Sequence, residues 1–125
     1  MKVLAFLLLA VPTAHAGFRE VAGCKEADFV ARNEAAVTVE ITGLMYSPKC
    51  LKVKPGTSLT IQAMPKHRLQ GMAPIDGIVN PFIQNEAAVV NQTRTLIRPG
   101  QYGYFCNPHG DENGEGMAGV LWVVD

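Results

Sequence analysis

Between Ala35 and Gly43 the chain alternates, with Val37, Val39 and Ile41 set against Thr38, Glu40 and Thr42. A period of two puts those apolar side chains on one face of a strand. Tyr46-Ser47-Pro48 makes a corner. Leu51, Val53, Leu59 and Ile61 continue the alternation on either side of Pro55-Gly56, a turn dipeptide, so this stretch is expected to form a hairpin. Ala87 to Ile97 carries Val89, Val90, Leu96 and Ile97 around a polar centre. Arg98-Pro99-Gly100 then turns the chain, Tyr102 and Tyr104 alternate up to Cys106, and Val120 to Val124 forms an apolar closing strand. Helical periodicity is confined to Glu26 to Arg32. Met64 to Glu86, punctuated by prolines and glycines without a clear period, reads as a long connection carrying His67. Strands separated by Pro-Gly turns predict an all-β chain, a Greek-key β-sandwich with at most one short helix.

Composition assigns this pattern to one domain. A chain of 125 residues, 48% of them hydrophobic, is long enough for one packed core and shows no division into two. Residues 1–16 do not share the alternation. Lys2, an apolar run from Val3 to Val11, Pro12 and the small-residue sequence Ala14-His15-Ala16 read as a secretory signal peptide, so the mature domain is expected to span residues 17–125. That run is too short to span a bilayer, and no later stretch reaches the roughly 20 apolar residues a span needs. A soluble monomer, periplasmic or otherwise exported, is expected. Without Lys2, ten of the eleven Lys and Arg stand against eleven Asp and Glu, and no single-sign field is left to hold nucleic acid or an anionic membrane.

Chemistry enters with the cysteines and histidines. In an oxidising compartment Cys24 and Cys50 are the natural disulfide pair, which leaves Cys106 free. Val21-Ala22-Gly23-Cys24 also resembles a lipoprotein cleavage box, a rival use of Cys24 that Arg19 and Glu20 weaken by interrupting the apolar run before it. Cys106, His109 and Met117 bring a thiolate, an imidazole and a thioether into one loop, and His67 is the only other histidine beyond the leader. A soft thiolate, two imidazoles and a long axial thioether make the trigonal site that suits copper and one-electron transfer. Zinc is a poorer match, because methionine is a poor zinc ligand. Pro108, between Cys106 and His109, limits the φ freedom of the loop and so the entropy lost on binding.

Each of these residues also has a plainer role: Cys106 as a small buried hydrophobe, His67 and His109 as solvated surface groups, Met117 as core. Met64 and Met72 are competing thioethers. Asp111, Glu112 and Glu115 lack the regular spacing of a hard-cation site and read as a solvated loop, or as an acidic docking rim facing Lys66 and Arg68.

Three segments carry a family resemblance over about Ala35 to Asp125. They are Tyr46-Ser47-Pro48-Lys49-Cys50-Leu51-Lys52-Val53-Lys54-Pro55-Gly56, then Pro99-Gly100-Gln101-Tyr102-Gly103-Tyr104-Phe105-Cys106-Asn107-Pro108-His109, then Gly116-Met117-Ala118-Gly119. Together they resemble the cupredoxins, the small blue copper proteins that include plastocyanin, pseudoazurin and amicyanin. The resemblance implies one copper per chain, with His67 as the early histidine ligand arriving from a distant strand and tying the two sheets together. Cys106 would be the thiolate, His109 the second imidazole and Met117 the axial ligand. It further implies a carrier of single electrons that transforms no substrate itself and meets a redox donor and acceptor near His109. Copper delivery or buffering with the same site is the alternative function, and a small copper oxidase or reductase a third. Two departures stand out. Seven residues separate His109 from Met117 where plastocyanin-like loops have about four, and Arg68 follows His67 where the family places a small polar residue that bonds near the sulfur.

Overall fold

The computed structural model describes residues 17–82 and 86–125. The expected signal peptide, residues 1–16, lies outside them. The described residues form two sheets, and among them a single 3-10 turn, Glu26–Asp28, stands where short helical periodicity was read. In chain order the strands are β1 (Val30–Ala31), β2 (Ala36–Thr42), β3 (Met45–Ser47), β4 (Cys50–Val53), β5 (Thr57–Ile61), β6 (Arg68–Gly71), β7 (Gln92–Leu96), β8 (Gly100–Gly110) and β9 (Gly116–Val123). One sheet has the order β1-β4-β9-β8-β6, the other β3-β2-β5-β7. The all-β sandwich expected from the alternation is what forms.

Between the sheets, Val39, Leu59, Ile61 and Leu96 meet Leu51, Val53, Leu69, Leu121 and Val123 in one apolar cluster, which also contains Tyr46, Tyr104, Cys106 and Met117. Strand β9 is buried at every position after Gly116, because its outer face is covered as well. There Ala22, Cys24, Cys50, Met72, Phe105, Ala118 and Val120 form a second cluster, and Phe18 and Phe29 pack on Trp122 with ring centroids 5.0 and 5.2 Å away. The Cys24–Cys50 disulfide closes this side, so the Cys24 sulfur is not available for a lipid anchor.

Three expectations need correction. Pro55-Gly56 does not close a hairpin: β4 pairs in parallel with β9, whereas β5 pairs with β2 and β7. Alternation reports which face of a strand is buried, not its neighbour, and β9, apolar on both faces, draws β4 to its side. The stretch read as a connection contains β6, which pairs with β8 through Leu69↔Cys106 and Arg68↔Asn107. Four residues of mixed polarity are too few to show a period. From Ala87 to Ile97 only Gln92–Leu96 is a strand, and Val90 and Ile97 are exposed.

Candidate metal centre

Strand β8 supplies Cys106 and His109, and the turn before β6 supplies His67. Met64 and His67 exchange backbone hydrogen bonds of 3.0 and 2.9 Å, which sets His67 at the head of β6, directly beside Cys106's neighbours. His67 therefore comes from the turn that leads into the adjacent strand of the same sheet, not from a distant strand that would tie the two sheets together as expected. Cys106 to His109 is not a free loop either, because β8 continues to Gly110. Its ladder with β9 slips between Phe105 and Gly110, a bulge of the kind that re-aims side chains near a site. The ladder resumes at Gly110↔Gly116, and Met117 follows on β9.

The described residues contain one cluster of metal-ligating side chains, His67, Cys106 and His109, whose ligand atoms lie within 4.8 Å of one another. Cys106 Sγ stands 3.7 Å from His67 Nδ1 and 3.7 Å from His109 Nδ1. The sulfur is fully buried, His67 half-buried and His109 exposed. These distances test the fit to an ion. Metal–nitrogen bonds of about 2.0 Å and a metal–sulfur bond of about 2.3 Å, opened to the 120° of a trigonal site, require sulfur and nitrogen about 3.7 Å apart, and a tetrahedral angle requires about 3.5 Å. Both pairs match the trigonal arrangement.

Burial pushes the Cys106 thiol up, while the His109 backbone N–H and the Arg68 charge pull against that rise. The metal-free thiol therefore stays protonated at neutral pH, and binding a metal must expel its proton. Arg68, which departs from the family pattern, donates from Nε to the Asn107 carbonyl at 3.1 Å and so ties the strand after His67 to the residue after Cys106. Asn107 Nδ2 adds a bond to Gln70 Oε1 at 3.3 Å.

Met117 is buried, 2% exposed, in the same cluster as Cys106. Of its competitors, Met72 packs in the cluster on the opposite face of the sheet, and Met64 is partly exposed beside His67. Asp111, Glu112 and Glu115 are exposed. The Asp111 carboxylate accepts the Asn113 and Glu115 amides, so it shapes the loop and gathers no cation site. Sequence reasoning missed two glycines. A Cβ on Gly110 would run into the Met117 carbonyl oxygen, and one on Gly116 into that of His109. Only their position flanking the acidic run hinted at so close an approach.

No protein-family model matches the chain, and no curated protein matches it. Solved structures do. Pseudoazurin from Methylobacterium extorquens AM1 is 26% identical, with a TM-score of 0.50 over 72% of this chain and 74% of its own. Oxidised plastocyanin from Dryopteris crassirhizoma is 19% identical, with a TM-score of 0.50 over 71% of this chain and 99% of its own. A Cu-containing nitrite reductase from Thermus scotoductus SA-01 is 18% identical, with a TM-score of 0.54 over 79% of this chain but 28% of that one. The latter two likenesses speak for the fold alone. Two antiparallel-rich sheets with a His-Cys-His cluster at one end, and neighbours that are plastocyanin and pseudoazurin, make this chain a cupredoxin in fold.

Proposed function

We propose that the protein is an exported mononuclear copper protein that carries single electrons between larger redox proteins, with His67, Cys106, His109 and Met117 as its ligands. The observation that carries the proposal is the buried Cys106 sulfur held 3.7 Å from both imidazoles, the spacing a trigonal His₂Cys site needs. Copper bound there would supply one-electron chemistry, for which that donor set is suited. The chain's own part is positional. Strands β8 and β9 carry three of the donors and the turn leading into β6 the fourth, so one sheet backs the site and little would have to move when its charge changes. Burial of Cys106 keeps water from its sulfur, and exposed His109 offers a partner the nearest edge of the site. A shallow depression lined by Pro108, His109, Asp111 and Glu115 surrounds that edge and supports docking there. The disulfide supports export to an oxidising compartment.

Adding Cu(II) to the reduced metal-free protein is expected to give an intense visible thiolate-to-copper band, absent in Cys106→Ser. A colourless Cu(II) complex of the wild-type chain would sink the proposal. A second reading, copper delivery, draws support from Met64, which places a partly exposed soft thioether beside His67. Rapid surrender of copper to a moderate chelator would favour delivery, and a slowly exchanging metal favours electron transfer.

A further inference from the structure

Residues 17–29 lie on the outer face of the five-stranded sheet, where Ala22 and Cys24 pack with Phe105, Ala118 and Val120. Phe105 precedes Cys106 and Ala118 follows Met117, so the segment presses on the neighbours of two proposed ligands from behind the site. It also touches the ligand loop. A Cβ on Gly114 would stand 2.8 Å from Ala22 Cα and 3.0 Å from Ala22 N, which means that the two backbones lie directly against each other. Ala22 holds this position in a left-handed conformation, φ 54°, which a residue with a Cβ keeps only when its surroundings enforce it. Those surroundings are present: Cys24 N–H donates to Val21 O at 2.9 Å, and Cys24 is bonded to Cys50. Cys50 in turn pairs with Val120 on β9, the strand that carries Met117.

We propose that the strap Val21–Cys24, tethered by the Cys24–Cys50 disulfide, is a positioning element of the metal site, with Ala22 bracing the loop between His109 and Met117 at Gly114. The proposal rests on the copper site argued above. A loop of seven residues has more conformations to lose than a shorter one. Its internal bonds run from the Gly114 amide to Asp111 O and between the Asp111 and Glu115 backbones, and tie it only to itself. The strap supplies the external contact that fixes its place relative to β8 and β9.

The test uses the full mature chain with Cys24→Ser/Cys50→Ser and, separately, Gly114→Ala, whose methyl group would push the loop off the strap. The φ of 84° at Gly114 adds strain of its own, so the effect of Gly114→Ala counts for the strap only as far as it is non-additive with the double serine variant. Leu96→Ala, a truncation buried in the other sheet, controls for general loss of stability. In the metal-free protein the Gly114 and Glu115 amides are expected to exchange with solvent at least about ten-fold faster in both strap variants than in the control, because loop amides open locally. In the copper form, competition with EDTA is expected to show a loss of affinity of about 10- to 100-fold, the range for groups that orient metal ligands. Amide exchange and copper affinity equal to those of Leu96→Ala would overturn the proposal. A wild-type chain without the thiolate-to-copper band would overturn the copper reading instead, and the exchange rates would still decide whether the strap holds the loop. Should the double serine variant not fold, the wild-type chain with its Cys24–Cys50 bond reduced and the reductant removed takes its place in both measurements.

Discussion

Cys106 has no exposed surface, while His109 three residues on is exposed. This contrast divides the labour of the proposed site between a sulfur sealed from water and an imidazole edge turned to partners. Beneath the sulfur, Tyr46 and Tyr104 stack edge to face at 4.8 Å. Burial pushes both hydroxyls well above the ordinary tyrosine range, Cys106 adding to the rise of Tyr46 and Tyr46 to that of Tyr104. A raised folded pKa keeps these groups protonated after the unfolded chain has begun to ionise. The stability they contribute is therefore complete below about pH 10 and is lost as pH climbs towards the folded values. Urea unfolding of the metal-free protein is expected to show a loss approaching about 1.4 kcal/mol per pH unit for each of the two tyrosines above that point. Tyr104→Phe should remove one such share. A slope unchanged by that substitution would show that Tyr104 ionises as readily in the fold as out of it.

At the scale of elements, three neighbouring strands do the assembling. The turn at the head of β6 delivers His67, β8 delivers Cys106 and His109, and β9 carries the proposed axial ligand as its second residue. The junction between β8 and β9 is the tightest point. Gly116, at φ 71°, lies so close to His109 that a side chain has no room. Gly116→Ala would combine backbone strain of about 1–3 kcal/mol with a clash against the His109 carbonyl. It is expected to lower the thermal midpoint and to shift or abolish the copper band, and a variant with wild-type melting and spectrum would refute this account. Strand β2 was legible in the sequence because seven residues alternate against a single buried face. β6 was not legible, since its four residues gain strand geometry from pairing with β8 and carry no period of their own. The turn at Pro55-Gly56 was read correctly as a turn and wrongly as a hairpin, because turn chemistry redirects the backbone without specifying which strand the chain pairs with next.

Over the whole molecule, charge is balanced, eleven basic against eleven acidic residues, so any steering must come from local asymmetry. Exposed Asp111, Glu112 and Glu115 line one side of the site, and exposed Lys66 with half-buried Arg68 lies on the His67 side. Replacing the three acids together by lysine is expected to alter the ionic-strength dependence of electron transfer to a partner protein, since rim charges act mainly on encounter rates. Rates with the same salt dependence as wild type would place docking elsewhere. Among the described residues, no helix is long and apolar enough to cross a membrane.

The amino-acid sequence by itself determined the all-β class, the disulfide partners and the membership of the His67, Cys106 and His109 cluster, because alternation and side-chain chemistry are local properties that survive in a string of letters. Tertiary structure alone decided that the two imidazoles and the sulfur lie within 4.8 Å of one another, that Met72 packs on the other face of the sheet, and that Ala22 rests on Gly114. Each of those facts depends on which strand lies beside which, and pairing is settled by the competition of all apolar faces for one core, which no single segment records.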